Sequence, residues 1–308
     1  VLIKRANVQL FDGDRAGGFA PVGVGFDVIK IEGTWLWVGS GWLQAADAVP
    51  SNEAVAYFSD QLSRQSSPFA LVNRAKAYSE SLDFLASIDD CSEALKQSAS
   101  YVPALICRAS AFLDLKHIEL AVGDLDEAIR VDPQSAAAYS LRGQAWISQG
   151  KFDQAMVDLD AAIQLDPKSC ATWARLGTVH SKQARYGEAL EDFNAALRLN
   201  PFYVVALNNR ANVWFKKDQF RLAVEDYTAA LKIRPSANGL RFNRAMALVR
   251  LGKRRQAIDD LSETIRLEPG NSQAYYHRAN LLLEEGEPAR AEADFKRADQ
   301  IQPVNKNI

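Results

Sequence analysis

The chain has 308 residues, 48% apolar and 24% charged, with a formal net charge of −2. This is the mix of an ordinary folded protein, and the charge gives no reason to expect nucleic acid or an acidic membrane surface as partner. Cys91, Cys107 and Cys170 show no CxxC pairing, which argues against a disulfide framework or a zinc knuckle and reads as three buried, small apolar residues. No apolar run approaches the roughly 18 residues that span a bilayer.

Residues 1–50 hold eight of the 17 glycines and three of the six tryptophans. The chain starts at Val1, which leaves a preceding signal peptide and the compartment, cytoplasmic or the cell envelope after export, open. In Phe26–Ile31 polar residues interrupt apolar ones at short intervals, as in a half-buried strand. Trp35–Val38 is apolar throughout, as in a strand covered on both faces, with turn residues at Gly33–Thr34 and Gly39–Gly41. The Gly-rich entry followed by DVIKIEGTWLWVGSGWL resembles the closing strands of bacterial SH3-like (SH3b) modules. That resemblance implies a small β-barrel over 1–50, with Trp35, Trp37 and Trp42 filling or rimming its core.

From Ser51 glycine thins out, alanine and leucine take over, and the apolar period lengthens from two to about 3.6. Ser51 at the N-cap, Glu53 in the first turn and the mostly apolar run Ala54–Phe58 predict a helix Asn52–Arg64. Residues 51–67 are thus a linking and capping segment.

Prolines then stand at 133, 167, 201, 235, 269 and 303, each 34 residues from the last. Self-similarity at this period marks a helical solenoid. One step further back Ala99 takes the proline slot, which gives seven copies over 68–305. Small residues recur in fixed slots, as at Ala211, Ala223 and Ala230 of the fifth copy, and let two helices approach closely. The fourth copy carries Trp173, Leu176, Gly177, Ala189, Phe193 and Pro201, with His180 in a tyrosine slot. It resembles the tetratricopeptide repeat (TPR) pattern W-x2-L-G-x2-Y, A-x3-F, P. This resemblance implies a mainly α fold, a right-handed superhelix (α-solenoid) whose first helices form a concave wall where peptides lie. One helix pair cannot bury its apolar face alone, so the repeated residues dock each hairpin on its neighbours. Function is to be sought in what does not repeat.

Two polar slots repeat as faithfully as the alanines. Aspartate recurs at Asp90, Asp124, Asp158, Asp192, Asp226, Asp260 and Asp294, and arginine at Arg74, Arg108, Arg142, Arg210, Arg244 and Arg278. At about 100° per residue, Arg210 and Asp226 fall on like shoulders of their helices and at matching heights of an antiparallel pair. An Arg–Asp bridge is therefore expected inside six hairpins, as a structural feature more than a ligand site, because acid and base together neutralise each other. The fourth copy has Leu176 in the arginine slot, so Asp192 lacks this partner and Arg175 is a poorly placed substitute.

The opposite shoulder of the first helices changes from copy to copy. In the C-terminal copies it carries Asn208, Asn212 and Asn280, whose amides both donate and accept and so suit a peptide backbone. Phe242, Met246 and Tyr276 offer adaptable apolar pockets beside them, and Lys76 lies on the corresponding surface of the first copy. Solvated helix faces and packing between repeats are the plainer account of the same residues. Chaperone-binding members of the family grip a terminal carboxylate with Lys and Asn in one repeat, then Asn, then Lys and Arg. No three successive copies supply that set, so a peptide ligand is not held chiefly by its C-terminus.

Catalytic motifs are missing: there is no HExxH, P-loop, GxGxxG or GxSxG. His117, His180 and His277 are scattered, and His180 reads as a packed core residue. Neither a metal site nor a cofactor is expected. The leading reading is a non-catalytic scaffold for a peptide or protein segment. One alternative makes the SH3-like part a cell-wall or glycan-binding module with the repeats tethering an envelope complex. Another makes the chain the regulatory part of a larger enzyme. Glu292 and Asp299, where the fifth copy has Val224 and Leu231, give the last hairpin a wettable outer face, as expected of a terminal repeat.

Overall fold

The computed structural model describes residues 53–302 in full and, before them, the backbone of seven short strands and the start of the first helix. The strands are β1 (Leu2–Ile3), β2 (Val8–Asp12), β3 (Arg15–Ala20), β4 (Lys30–Glu32), β5 (Trp35–Trp37), β6 (Trp42–Gln44) and β7 (Ala48–Val49). Antiparallel pairing gives one sheet of order β3-β2-β6-β5-β4 and a separate β1–β7 pair. Among the described pairings none closes β4 onto β3, so an SH3-like barrel is not shown. The roles expected of Trp35, Trp37 and Trp42 concern side chains that lie outside the described residues.

The fully described part is mainly α and contains no strand. Helix α1 spans Ser51–Arg64, one residue earlier than its N-cap reading placed it. Fourteen helices follow, in the order α2 (Pro68–Glu80), α3 (Phe84–Gln97), α4 (Val102–Asp114), α5 (Ile118–Val131), α6 (Ala136–Ser148), α7 (Phe152–Leu165) and α8 (Cys170–Lys182). Then come α9 (Tyr186–Leu199), α10 (Val204–Lys216), α11 (Phe220–Ile233), α12 (Asn238–Arg250), α13 (Arg254–Leu267), α14 (Ser272–Glu284) and α15 (Pro288–Ile301). Odd and even members keep their lengths, 13 residues for each first helix and 14 for each second.

The chain divides into two compact units, Val1–Val179 and His180–Ile308, with the boundary inside α8. In the first unit, Leu105, Ala109 and Leu113 of α4 meet Ala121, Leu125 and Ala128 of α5 and Ala138 and Ala145 of α6. The small slots are fully buried and set the helix spacing. At Gly143 an added Cβ would lie 2.8 Å from Leu159 Cγ of the partner helix. Cys91 and Cys107 are buried in the α2–α4 core, whereas Cys170, at the start of α8, is half-exposed. In the second unit the same slots appear as Ala245 and Leu248 of α12, Ala257 and Leu261 of α13, and Ala274 and Leu281 of α14.

The turn inside each hairpin repeats as well. A residue of positive φ occurs at 82, 116, 150, 184, 218, 252 and 286, again at a 34-residue interval, and only three of the seven are glycine. This left-handed residue ends the first helix and lets the next N–H bond back into it, as from Lys151 to the Trp146 carbonyl at 2.9 Å.

Candidate protein-binding face

The polar slots come together at the hairpin interfaces. Nε and Nη2 of Arg74, Arg108, Arg142, Arg210, Arg244 and Arg278 donate to the two carboxylate oxygens of Asp90, Asp124, Asp158, Asp226, Asp260 and Asp294, at 2.6–2.8 Å. These are bidentate forks, the strongest geometry open to the pair. The aspartates are buried and the arginines half-buried. Hydrogen bonding to the carboxylate raises the Arg74, Arg108, Arg142 and Arg244 pKa against the opposing effect of burial.

Sequence reasoning missed the third contact. Each Nη1 donates backward, to Ser59 of α1 or to the preceding second helix at Ser92, Asp126, Asn194, Thr228 or Ser262. One guanidinium thus ties three helices together. The accepting residue sits two places after the aspartate slot, but its chemistry varies from copy to copy, which hides it as a repeat.

In the fourth copy His180 meets Asp192, Nδ1 to Oδ2 at 2.6 Å, with both side chains nearly buried. His180 is therefore a polar partner as well as a core side chain. The aromatic slot it occupies can supply a donor, since Trp146 Nε1 of the third copy also donates to its Asp158, at 2.9 Å. Arg175 turns toward the preceding first helix, where Nε donates to Gln144 and Nη1 to Ser140.

The residues that vary are spread over the first helices and differ in availability. In the second unit, Asn208 and Asn212 lie on α10, Phe242 and Met246 on α12, and Tyr276 and Asn280 on α14. Tyr276 is 54% exposed and packs edge-on against Phe295 and His277. Phe242 and Met246 are half-buried against the α12–α13 core, and the Phe242 ring also meets His277. Asn212 accepts the Tyr227 hydroxyl, Asn208 donates to Asn209, and Asn280 donates to its own helix at the Tyr276 carbonyl. Lys76 belongs to the first unit, where burial holds its ammonium below the ordinary lysine range despite the opposing influence of Cys107 and Cys91.

The links from Arg175 to Ser140 and Gln144, and from His277 to Phe242, start from one slot. In these two copies the side chain one place before the arginine slot reaches toward the variable shoulder of the preceding first helix. Asn243 of α12 holds the same slot, and it makes no hydrogen bond among the described residues. Sequence reasoning passed over Asn243, because a single copy does not show which neighbour a shoulder residue faces.

No group of three His, Cys, Asp or Glu side chains among the described residues could hold a metal ion. No helix among them is long and apolar enough to cross a membrane.

Models of the tetratricopeptide repeat match residues 108–169, 170–203 and 242–306, together just over half of the chain. The chain belongs to the tetratricopeptide-repeat proteins, which generally act as non-catalytic scaffolds that bind proteins or peptides. No curated protein matches the sequence significantly. Among solved structures, a chain of the APC/C hetero-tetramer Cut9–Hcn1 is similar over 83% of this chain and 51% of its own, with 17% identity and a TM-score of 0.68. The present chain thus spans about half the length of that relative. YrrB, described as a TPR protein with an unusual peptide-binding site, is 22% identical, with 59% of this chain and 93% of YrrB covered and a TM-score of 0.52. A thermophilic TPR protein from Thermus thermophilus is 18% identical over 59% of this chain and all of its own, with a TM-score of 0.55. At these identities the likeness concerns the fold alone.

Proposed function

We propose that the chain is a non-catalytic scaffold that holds a peptide or protein segment along the first-helix face of α10, α12 and α14. The observation that carries this reading is the contrast between slots. Residues that bind the hairpins together repeat in every copy, while the opposite shoulder changes at each step and gathers amides and an exposed aromatic ring. Asn208, Asn212 and Asn243 would pair with the backbone of an extended segment, since an amide can satisfy both a carbonyl and an N–H. Tyr276 would supply apolar contact with a polar tip, a residue type enriched where binding energy concentrates. Phe242 and Met246 are already packed inward, so they would shape the floor of the site.

The test is selection from a random peptide library on the intact chain and on a variant with Asn208, Asn212 and Tyr276 replaced by alanine. Circular dichroism checks that the fold is kept. Loss of the selected peptides in the variant is expected. Equal capture by both proteins would place binding elsewhere.

A further inference from the structure

The overall charge of −2 hides a segregation along the chain. Val1–Val179 carries 15 Lys and Arg against 22 Asp and Glu, a net −7, whereas His180–Ile308 carries 21 against 16, a net +5. Part of the excess is concentrated in one slot. The last residue of the first helix is Glu80 in α2, Asp114 in α4, Ser148 in α6, Lys182 in α8, Lys216 in α10, Arg250 in α12 and Glu284 in α14. Three consecutive copies thus place a cation at the same point beside the intrahairpin turn; Lys217 directly follows Lys216, and Lys253 lies three residues beyond Arg250.

A cation at a helix C-terminus is favoured by the helix dipole. The fold does not require a cation there, because α2, α4 and α14 are helices of the same length that end on an acid. The three cations are also only lightly engaged. Lys182 makes no ion pair or hydrogen bond among the described residues. Lys216 stands 5.7 Å from the Tyr186 ring centroid, and Arg250 stands 4.3 Å from that of Phe220. Arg250 has one exposed acidic neighbour, Asp218, at 3.2 Å, a contact of the kind that contributes little in water. The rings would hold the two charges in place without neutralising them. Row and amides share helices: Lys216 ends α10, which carries Asn208 and Asn212, and Arg250 ends α12, which carries Asn243.

We propose that Lys182, Lys216 and Arg250 form an acid-recognising edge of the peptide site, and that the segment bound on α10–α14 is rich in Asp and Glu. This rests on the first-helix reading and narrows it to one chemical class of partner. The amides would hold the backbone of the segment while its carboxylates lie along the cationic row. The two glutamates that follow, Glu284 and Glu285, pair with Arg254 and Arg255. They would mark the end of the acid-binding stretch, because the slot there holds an acid already paired with a cation of its own unit.

The experiment selects peptides from a random library on three intact proteins: wild type, the Asn208, Asn212 and Tyr276 alanine variant, and K182E/K216E/R250E. These three charge positions are at least partly exposed and outside the buried Arg–Asp forks, so the reversed variant should fold. Peptides enriched on the wild type should be net acidic. Their affinity should fall steadily as salt is raised and should drop roughly tenfold or more on charge reversal. Neutral or basic peptides that bind both proteins equally overturn the acidic assignment but leave the first-helix site standing. Acidic peptides lost on charge reversal but kept by the alanine variant would overturn the amide site while the cationic row stands. Failure of the library to enrich any acidic peptide overturns the proposal. So does tighter binding of a single-stranded oligonucleotide than of any peptide, or a self-association in sedimentation that charge reversal dissolves.

Discussion

Arg210 shows what a single side chain does in this array. It grips both oxygens of Asp226 and reaches back to Asn194 on the preceding second helix. Removing it leaves a carboxylate that is only 7% exposed without its fork, a change that costs roughly 3–5 kcal/mol when the charge stays buried. Arg210→Ala should therefore lower the urea midpoint far more than Arg221→Ala, whose guanidinium lies on an exposed surface. Equal effects would show that the fork contributes little. His277 allows a pH test at the same scale. Burial holds its pKa below the ordinary value of about 6.5. The unfolded chain therefore binds that proton more readily, and stability rises with pH from the folded pKa up to about 6.5. Acidification through this window should weaken folding less in His277→Gln than in wild type, as read by thermal melts at several pH values. The spacing that sets Arg210 beside Asp226 is written in the sequence, because both slots recur and helical rotation fixes their shoulders. The third partner is not, since Ser, Asp, Asn and Thr alternate there, and His180 sits in a slot that elsewhere holds Tyr78, Phe112, Trp146, Trp214, Leu248 or Leu282.

At the scale of the element, the intrahairpin turn is the least uniform part of a regular design. Its left-handed position holds Leu82, Lys116, Ala184 and Asp218 as well as Gly150, Gly252 and Gly286. A side chain with a Cβ costs about 1 kcal/mol or more in that conformation. Ala184→Gly should thus raise the melting temperature, offset in part by the greater freedom glycine gives the unfolded chain. Gly286→Ala should lower it. Nothing lies within 4 Å of the added Cβ there, so the backbone alone accounts for the loss. Opposite signs for the two substitutions are the expected outcome, and a fall in both would remove the conformational explanation. The helices themselves were legible, down to the small residues that let α12 and α13 approach. This turn was not, because glycine marks it in fewer than half the copies and the other occupants read as ordinary surface residues.

At the scale of the whole molecule, stability in such an array is close to a sum of nearest-neighbour terms. Arg278→Ala, which unties α14 from Asp294 and from Ser262 on α13, should speed amide exchange in α14 and α15 and leave α2–α5 unchanged. A uniform rise along the chain would mean that the hairpins unfold as one. The repeat also explains why family membership was easier to read than a ligand. Thirty-four-residue periodicity reports what the copies share, whereas recognition lives in single positions whose availability depends on the neighbouring helix. Phe242 and Met246 look like open pockets in the sequence and are packed inward in the fold, while Asn243 came into view only through the contacts that Arg175 and His277 make from the same slot. The central claim is that the unrepeated first-helix face receives the guest. Amide exchange mapped on the chain with and without a selected peptide tests it most directly. Slowed exchange is expected in α10, α12 and α14 and at the C-terminal end of α8 that carries Lys182, whereas protection centred on α11, α13 and α15 would contradict it.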